Sequence, residues 1–250
     1  MDKKRKISLI IIGDEILSGK RQDKHLQQAI SLLKPRGLSV DLVSMVSDNA
    51  ALLVETLKQS FQQGNITFCF GGIGSTPDDR TRQSAAQALN LPIERHLKAA
   101  KEIEQQMGEK AYPLPITMSD YPQGADMIPN FYNNIPGFSI KEHYFMPGFP
   151  IMAKGMMEWV LDTYYQSLIQ PASVEKAIKI IDGKESEWVI FMRDFEIKYP
   201  SLRIFSLPTI TDNDGRNVEL GVEGIEPLVN EGFADIITKA EQLNVIYEEI

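Results

Sequence analysis

The chain has 250 residues, of which 43% are hydrophobic and 24% are charged. This composition is typical of soluble globular proteins, and it excludes a disordered chain and a collagen-like repeat. No stretch approaches the roughly 18 unbroken apolar residues that a membrane span needs, and no secretory signal pattern follows the basic N-terminus. We therefore expect a cytoplasmic protein that does not contact membranes. The single cysteine, Cys69, excludes an internal disulfide framework and a cysteine-based zinc site.

The charge is unevenly distributed along the chain. The whole sequence has 26 basic and 34 acidic residues, which gives a net charge of −8. Residues 212–250 contain ten acidic and two basic residues, so this segment alone carries −8 and the rest of the chain is balanced. Because a nucleic-acid-binding protein normally presents a basic face, we expect no nucleic-acid partner. The shift in charge also indicates that the last part of the chain is a separate unit.

The first part of the chain alternates between predicted strands and helices. Strands are predicted over 7–12, 38–46 and 66–70. The first and third are continuous β-branched and aromatic runs, the pattern of strands buried on both faces of a parallel sheet. Helices are predicted after Asp23, after Asn49 and over 79–89. Short connections between alternating strands and helices predict a parallel α/β sheet with helices on both faces.

The pattern changes near residue 170, where the sequence Gln170-Pro171-Ala172-Ser173 predicts a domain boundary. Before it, we predict helices over 97–109 and 150–165 and short strands over 126–129 and 144–146. After it, we predict strands over 174–181, 201–207 and 217–223 and helices over 184–199 and 227–243. The sequence therefore predicts an α/β domain over residues 1–170 and a small acidic α+β domain over 171–250.

The strongest candidate for a ligand site is the glycine-rich segment after the third predicted strand. It consists of Gly71, Gly72, Ile73, Gly74, Ser75 and Thr76, and a predicted helix follows it directly. Glycines let the backbone turn several N–H groups toward one point, and the helix N-terminus adds partial positive charge there. This arrangement suits a phosphate or diphosphate, although the sequence matches neither the P-loop nor the GxGxxG fingerprint. The alternative is a tight turn followed by a capped helix.

Two aspartates, Asp78 and Asp79, follow this loop where the predicted helix begins. Two carboxylates would repel a bare phosphate at this position. A divalent cation that bridges carboxylate and phosphate oxygens removes the conflict, so the pair points to metal-assisted binding of a diphosphate. In the alternative interpretation, one aspartate caps the helix and the other is solvated.

Acidic residues also follow the first two predicted strands. Gly13, Asp14 and Glu15 come after the first strand, and Asp48 and Asn49 come after the second. Since ligands of open α/β sheets bind at the carboxyl ends of the strands, we expect these residues to meet Asp78 and Asp79 at one edge. One residue of the Asp48–Asn49 pair is needed to cap the next helix. For Asp14 and Glu15, a solvated loop is the alternative.

The segment Met146-Pro147-Gly148-Phe149-Pro150 forms another predicted strand-to-helix turn. It is interpreted either as a rigid turn or as a lid over a ligand. Of the three histidines, His25 and His96 are predicted to lie on helix surfaces, and His143 is predicted to be a structural residue with satisfied hydrogen bonds.

Together these residues resemble the molybdopterin-binding superfamily. The resemblance is to the branch that contains the N-terminal domains of competence/damage-inducible protein CinA and of eukaryotic FAD synthase. The matching motifs are Gly13 to Gly19, Gln22-Asp23, Asp48, Gly71 to Thr81, Pro136-Gly137-Phe138 and Met146 to Pro150. The family usually has proline where Ser75 stands and threonine where Phe70 stands.

The resemblance implies a three-layer α/β/α sandwich with a mixed, mostly parallel five-stranded sheet. It also implies metal-dependent hydrolysis of a nucleotide pyrophosphate such as ADP-ribose or FAD. The diphosphate or pterin would be held by Gly13, Asp14, Gly71, Gly72, Ile73, Gly74, Ser75, Thr76, Pro147 and Gly148. Asp79, Asp48 and Glu15 would carry the catalysis, and Asp78, Asp79 and Asp48 would bind Mg²⁺ or Co²⁺.

Two alternatives remain open. The same loop suits a module that binds molybdopterin or a nucleotide without hydrolysis, and the fold also suits a non-catalytic scaffold that acts through protein partners. The resemblance further implies a homo-oligomer, either a dimer or a trimer. Phe131-Tyr132 and Tyr164-Tyr165 are the candidate contact residues.

Overall fold

A computed structural model describes residues 5–210 and 215–250 of the chain. Contacts between Cα atoms divide the chain into two compact units. The first unit extends to Lys34 and resumes over Leu38–Ile169, and the second comprises Pro35–Gly37 and Gln170–Ile250. Within the described residues, none of the helices has the length and apolar character required to cross a membrane.

The first unit contains eight strands and six helices among the described residues. The strands are β1 (Ile7–Ile12), β2 (Leu42–Val46), β3 (Ile66–Phe70), β4 (Ile93–Arg95), β5 (Asp120–Pro122), β6 (Asp126–Ile128), β7 (Gly137–Ile140) and β8 (His143–Met146). The helices are α1 (Asp14–Leu17), α2 (His25–Leu33), α3 (Ala50–Gln63), α4 (Thr81–Leu89), α5 (Leu97–Met107) and α6 (Pro150–Tyr164). Short 3₁₀ turns cover Lys34–Arg36, Gly108–Ala111, Pro115–Ser119 and Gln166–Leu168.

Six strands form the main sheet, in the order β2-β1-β3-β8-β7-β6. Strands β1, β2, β3 and β8 are parallel, whereas β7 pairs antiparallel with both β8 and β6. The mixed, mostly parallel sheet is therefore confirmed, but it has six strands rather than the five that the resemblance implied. Strands β4 and β5 form a separate two-stranded sheet.

Two hydrophobic cores cover the two faces of the main sheet, as the continuous apolar runs of β1 and β3 require. On one face, Leu9 and Ile11 pack with residues of α2 and α6. On the other, Ile10 and Ile12 pack with Leu53 and other residues of α3 and α4. Cys69 lies in this second core and is fully buried, so it is an inert core thiol. The three-layer α/β/α arrangement is confirmed.

The second unit is an antiparallel sheet with two helices. Its strands are β9 (Val174–Ile180), β10 (Arg203–Ile210), β11 (Arg216–Gly224) and β12 (Tyr247–Glu249), and its helices are α7 (Val189–Lys198) and α8 (Glu226–Gln242). A 3₁₀ turn covers Glu185–Glu187. The strand order is β10-β11-β9-β12. The α+β class predicted for this part of the chain is correct, and its core contains Ile178, Leu220 and Trp188.

Candidate functional site

The candidate site lies where the parallel strands end. The backbone N–H of Gly13 donates to the Val46 carbonyl at 3.0 Å, and that of Gly71 donates to the Met146 carbonyl at 2.9 Å. These two hydrogen bonds continue the sheet pairing past the ends of β1, β2, β3 and β8. The four segments predicted to carry chemistry therefore leave the sheet side by side at its carboxyl edge, as open α/β sheets require of a ligand site.

Glycine is required at two positions of the loop because the backbone folds closely against its neighbours. A Cβ on Gly71 would lie 2.2 Å from the Ile12 carbonyl oxygen, and a Cβ on Gly72 would lie 2.2 Å from Thr81 Oγ1. Both residues also have positive φ, +108° and +67°. Thr81 fixes this loop to the start of α4: its Oγ1 donates to the Gly71 carbonyl at 3.0 Å and its N–H to the Gly72 carbonyl at 2.9 Å.

The loop presents a run of unused hydrogen-bond donors. Within residues 5–210 and 215–250, the backbone N–H groups of Gly72, Ile73, Gly74 and Ser75 donate to no protein acceptor. Gly72, Gly74 and Ser75 are half-buried, whereas Ile73 is buried. Successive unpaired backbone amides in a loop that leads into a helix N-terminus are suited to bind an anion.

Asp79 closes the far side of this loop. Its Oδ2 accepts hydrogen bonds from Thr76 N at 2.9 Å and Thr76 Oγ1 at 2.6 Å. The same carboxylate packs on Gly74, where an added Cβ would lie 2.4 Å from Oδ2. Oδ1 of Asp79 has no hydrogen-bond donor in the described chain, so one oxygen remains for a ligand. Asp78 is exposed beside it.

Asp14 and Asp48 bind each other's backbone across the ends of β1 and β2. Asp14 N donates to Asp48 Oδ2 at 2.9 Å, and Asp48 N donates to Asp14 Oδ1 at 3.3 Å. Asn49, rather than Asp48, caps α3 by accepting from Leu52 N at 3.1 Å. Each of the two aspartates keeps one carboxylate oxygen without a described donor.

The negative charges at this edge influence the pKa of Asp48. Partial burial raises its pKa from the ordinary value, and the charges of Asp14, Glu15 and Asp78 raise it further against the hydrogen bond from Asp14 N. Glu15 lies on Gly13, where a Cβ would come within 2.5 Å of Glu15 Oε2. The three strand ends thus bring Asp14, Glu15, Asp48 and Asp78 together.

The turn after β8 packs directly on the glycine loop. A Cβ on Gly148 would lie 3.4 Å from the Gly71 Cα atom, which is ordinary van der Waals contact. Pro147 is half-buried beside it, and Phe149 is exposed at the start of α6. The turn therefore forms one wall of the site.

Two residues of the site were not identified in the sequence. His25 was predicted on a helix surface, but it is buried and stacks on Phe70 with a centroid distance of 4.6 Å. Burial lowers its pKa, against the opposing effects of Asp23, the Gly148 backbone and Glu15. His25 is the first residue of α2, and nothing in the sequence around it predicts that its side chain is buried.

The other is Arg82, which is 2% exposed and contacts the carbonyls of Ile73 and Gly74 from beneath the loop. Its sequence signal is a basic residue in the first turn of a helix, where the helix dipole disfavours positive charge.

The two histidines other than His25 differ from each other. His96 caps α5 by accepting from Ala99 N at 3.2 Å, and His143 is the buried structural residue that was predicted.

Among the described side chains, no group of three or more histidine, cysteine, aspartate or glutamate residues is arranged to enclose a metal ion. The donor set instead consists of one free oxygen each on Asp14, Asp48 and Asp79, together with the exposed carboxylate of Asp78. Such oxygens fit Mg²⁺ that arrives with a phosphate, because Mg²⁺ in nucleotide sites is bound by one or two carboxylates, waters and phosphate oxygens.

The fold and this edge define an α/β protein with a glycine-rich, amide-lined loop beside clustered carboxylates. The sequence profile of the family described as "Probable molybdopterin binding domain" matches residues 8–166. The chain belongs to this family, and it is similar to proteins described as CinA-like. The resemblance seen in the motifs is thereby confirmed.

Two relatives and one solved structure illustrate the similarity. The CinA-like protein of Anaeromyxobacter sp. (strain Fw109-5) is 29% identical over 163 residues, covering 62% of this chain and 40% of the relative. That of Geobacter sp. (strain M21) is 29% identical over 160 residues, covering 61% and 39%. The chain thus matches less than half the length of these relatives.

The crystal structure of a CinA protein of unknown function from Thermoplasma acidophilum superposes with a TM-score of 0.58. The identity is 20%, and the match covers 64% of this chain and 98% of that one. At this identity the likeness establishes the fold of the first unit and nothing further.

Proposed function

We propose that this chain binds the diphosphate of a nucleotide, of the ADP-ribose or FAD type, and hydrolyses it with a divalent metal. The observation that carries the proposal is the run of unpaired amides over Gly72–Ser75, in the loop that Thr81 ties to the start of α4. Diphosphate oxygens are strong acceptors, and a helix N-terminus attracts negative charge. Ser75 adds a hydroxyl where the family usually has proline.

The metal has a supporting role in this proposal: one or two of the carboxylates of Asp48, Asp78 and Asp79 would hold it together with phosphate oxygens. When bound, Mg²⁺ or Co²⁺ neutralises phosphate charge and lowers the pKa of a coordinated water. Asp14 and Glu15 extend the same negative edge, which explains why a diphosphate would bind there together with a cation rather than alone.

In the hydrolytic step, a water oxygen forms a bond to one phosphorus while the bond from that phosphorus to the bridging oxygen breaks. The products are two phosphate monoesters, and the two protons of the water pass to the monoesters or to solvent. Asp48 and Glu15 would accept hydrogen bonds from the water, and the raised pKa of Asp48 suits a group that receives a proton. The loop amides would hold the diphosphate in place during the step.

A second candidate is binding of molybdopterin or a nucleotide without hydrolysis. The observation that favours it is the commitment of Asp79 Oδ2 to Thr76, which leaves one oxygen of this residue for a metal. The family description also names molybdopterin as the ligand. The same amides would then hold the pterin phosphate.

The assembly of the chain is also a proposal. Phe131 and Tyr132 are both exposed on the first unit, which suits a contact between copies in a dimer or trimer. Tyr164 is exposed as well, but Tyr165 is buried and its hydroxyl lies 2.7 Å from that of Tyr144. Light scattering coupled to size exclusion measures the oligomeric state directly.

The test is a thermal-shift screen with FAD, ADP-ribose, ADP, NAD and a pterin, each with and without Mg²⁺ or Co²⁺. A ligand present at 100 times its Kd stabilises the folded protein by about 2.7 kcal/mol, which raises Tm by several degrees. We expect a metal-dependent shift with a diphosphate, followed by its turnover to two monophosphates. A pterin shift without turnover of any nucleotide would support the second candidate instead.

Asp48→Asn is the variant that separates the two candidates. We expect it to abolish turnover while the protein still binds the diphosphate through the loop. Glu55→Gln is the matched control, because Glu55 is exposed on α3 and, among the described residues, bonds only Gln59, at 2.9 Å. Turnover by Asp48→Asn at the wild-type rate would refute the assigned role of this carboxylate.

A further inference from the structure

A buried cation lies directly beneath the glycine loop. Arg82 is the second residue of α4 and is almost fully buried. Its Nη2 donates to the Gly74 carbonyl at 2.7 Å, and its Nη1 donates to the Ile73 carbonyl. Its Nε is buried and has no partner in the described chain. The guanidinium therefore bonds two successive carbonyls of the loop.

These contacts set the direction of the neighbouring amides. In a trans peptide unit, the carbonyl of one residue and the N–H of the next point in opposite directions. With the carbonyls of Ile73 and Gly74 facing Arg82, the N–H groups of Gly74 and Ser75 face away from it. Both are among the amides that donate to no described acceptor. Arg82 thus turns two adjacent donors to the opposite side of the loop.

The charge of Arg82 is only partly compensated, by Asp79 and Asp120, whose carboxylates act on it from beyond ion-pair distance. No carboxylate lies within ion-pair distance of it in the described chain, and the first turn of a helix is an unfavourable position for a cation. Arginine stays protonated in proteins, and a charge shielded from water acts more strongly than an exposed one. A buried, unpaired cation is normally avoided, so its presence under four free amides calls for an anion opposite.

We infer that Arg82 is the positioning residue of the anion site: it fixes two carbonyls so that the Gly74 and Ser75 amides face the diphosphate, and it adds positive charge from beneath. The inference rests on the proposed function, because it assigns the residue that prepares that site. Arg82 acts through the loop backbone and does not touch the ligand.

Arg82→Lys and Arg82→Gln separate the two contributions. Lysine keeps the charge without the planar fork that holds both carbonyls, and glutamine keeps a donor without the charge. With inorganic pyrophosphate as the titrant in calorimetry, in the presence of Mg²⁺, we expect at least tenfold weaker binding in Arg82→Gln and a smaller loss in Arg82→Lys. Arg80→Gln is the matched control, because exposed Arg80 also donates to a loop carbonyl, that of Pro77 at 3.2 Å.

The control should bind pyrophosphate within twofold of the wild type. The inference would be overturned if a folded Arg82→Gln protein bound pyrophosphate with an affinity within twofold of the wild type. If Arg82→Gln does not fold, the same criterion applies to Arg82→Lys, for which unchanged affinity would show that the carbonyl contacts are not required.

Amide spectra of the free protein test the orientation without any ligand. We expect the ¹H–¹⁵N signals of Gly74 and Ser75 to move in Arg82→Lys and to stay in place in Arg80→Gln. Unchanged Gly74 and Ser75 signals in Arg82→Lys would overturn the inference. If these signals move but the wild type binds neither pyrophosphate nor any nucleotide, the proposed function fails while the positioning role of Arg82 stands.

Discussion

Buried polar side chains at the two ends of the parallel strands differ in whether their atoms have hydrogen-bond partners. At the amino end of β8, His143 Nδ1 lies 2.9 Å from the Lys141 carbonyl, and Nε2 lies 2.8 Å from Ser60 Oγ. The carbonyl can only accept, so Nδ1 carries the proton and Ser60 donates to Nε2. At the carboxyl end, His25 Nδ1 and Arg82 Nε are both buried without a partner in the described chain.

The difference teaches which end is built for stability and which for a ligand. Buried polar groups in folded proteins are almost always paired, so fully satisfied groups mark structure. Unpaired donors and clustered carboxylates are tolerated mainly where a ligand completes them. The carboxyl end also contains the free amides of the glycine loop, whereas His143 is not among the residues proposed to contact a ligand.

The largest expected effect is that of Gly72→Ala at the carboxyl end. The new Cβ would lie 2.2 Å from Thr81 Oγ1 in a residue with φ +67°. Backbone strain and overpacking together should cost about 4 kcal/mol of stability. Thermal unfolding and pyrophosphate titration measure the change, and we expect both stability and affinity to fall.

Gly64→Ala is the matched control for this variant. Gly64 has φ +66° at the end of α3, and nothing lies within 4 Å of a Cβ there. Gly64→Ala should lower stability by about 1 kcal/mol because of the left-handed backbone alone, and its affinity for pyrophosphate should be unchanged. If the two variants lose equal stability, the close approach of Thr81 to the loop is not what requires glycine at 72.

The next largest effect concerns the amino end and depends on pH. Burial lowers the pKa of His143 from 6.5 to about 4, against the effect of the Lys141 hydrogen bond. The unfolded chain therefore takes up the proton first as pH falls. This contribution to stability is intact above about pH 6.5 and is lost progressively down to about pH 4, by about 3 kcal/mol in total.

Thermal denaturation between pH 7 and pH 4.5 measures this loss for the wild type and for His143→Gln. We expect a flatter pH dependence in the variant and unchanged nucleotide binding at pH 7. His25 contributes with the same sign, because its pKa is also lowered by burial, so some pH dependence should remain. Identical slopes in the two proteins would show that His143 is not protonated on unfolding in this range.

The smallest expected effect distinguishes two neighbours in one turn. Asn49→Ala removes the cap of α3 and should cost about 1 kcal/mol, with diphosphate affinity unchanged. Asp48→Asn should be at least as stable as the wild type near neutral pH, because the folded state raises the pKa of this carboxyl. It should lose the metal dependence of binding, measured by titration with and without Mg²⁺. Loss of metal dependence in Asn49→Ala alone would reverse these roles.

Much of the first unit could be predicted because its signals are local. The apolar runs of β1 and β3 and the cap at Asn49 depend on residues close in sequence. Strand β7 was not predicted, since its four residues show no distinctive pattern and its stability comes from pairing with β8. Phe138 on β7 stacks on Phe145 with a centroid distance of 4.3 Å, a contact between separate strands.

Sequence patterns were enough to establish the α/β class, the family, and the presence of a glycine loop and acidic residues at the strand ends. Turn glycines, apolar periodicity and motif spacing are properties of short segments. The folded structure was needed to show that Asp79 is bonded to Thr76, that His25 is buried on Phe70, and that Arg82 bonds two loop carbonyls. Burial and hydrogen-bond partners depend on which distant segments pack together. The sequence around an arginine or a histidine therefore looks the same whether its side chain is exposed to water or buried in a core.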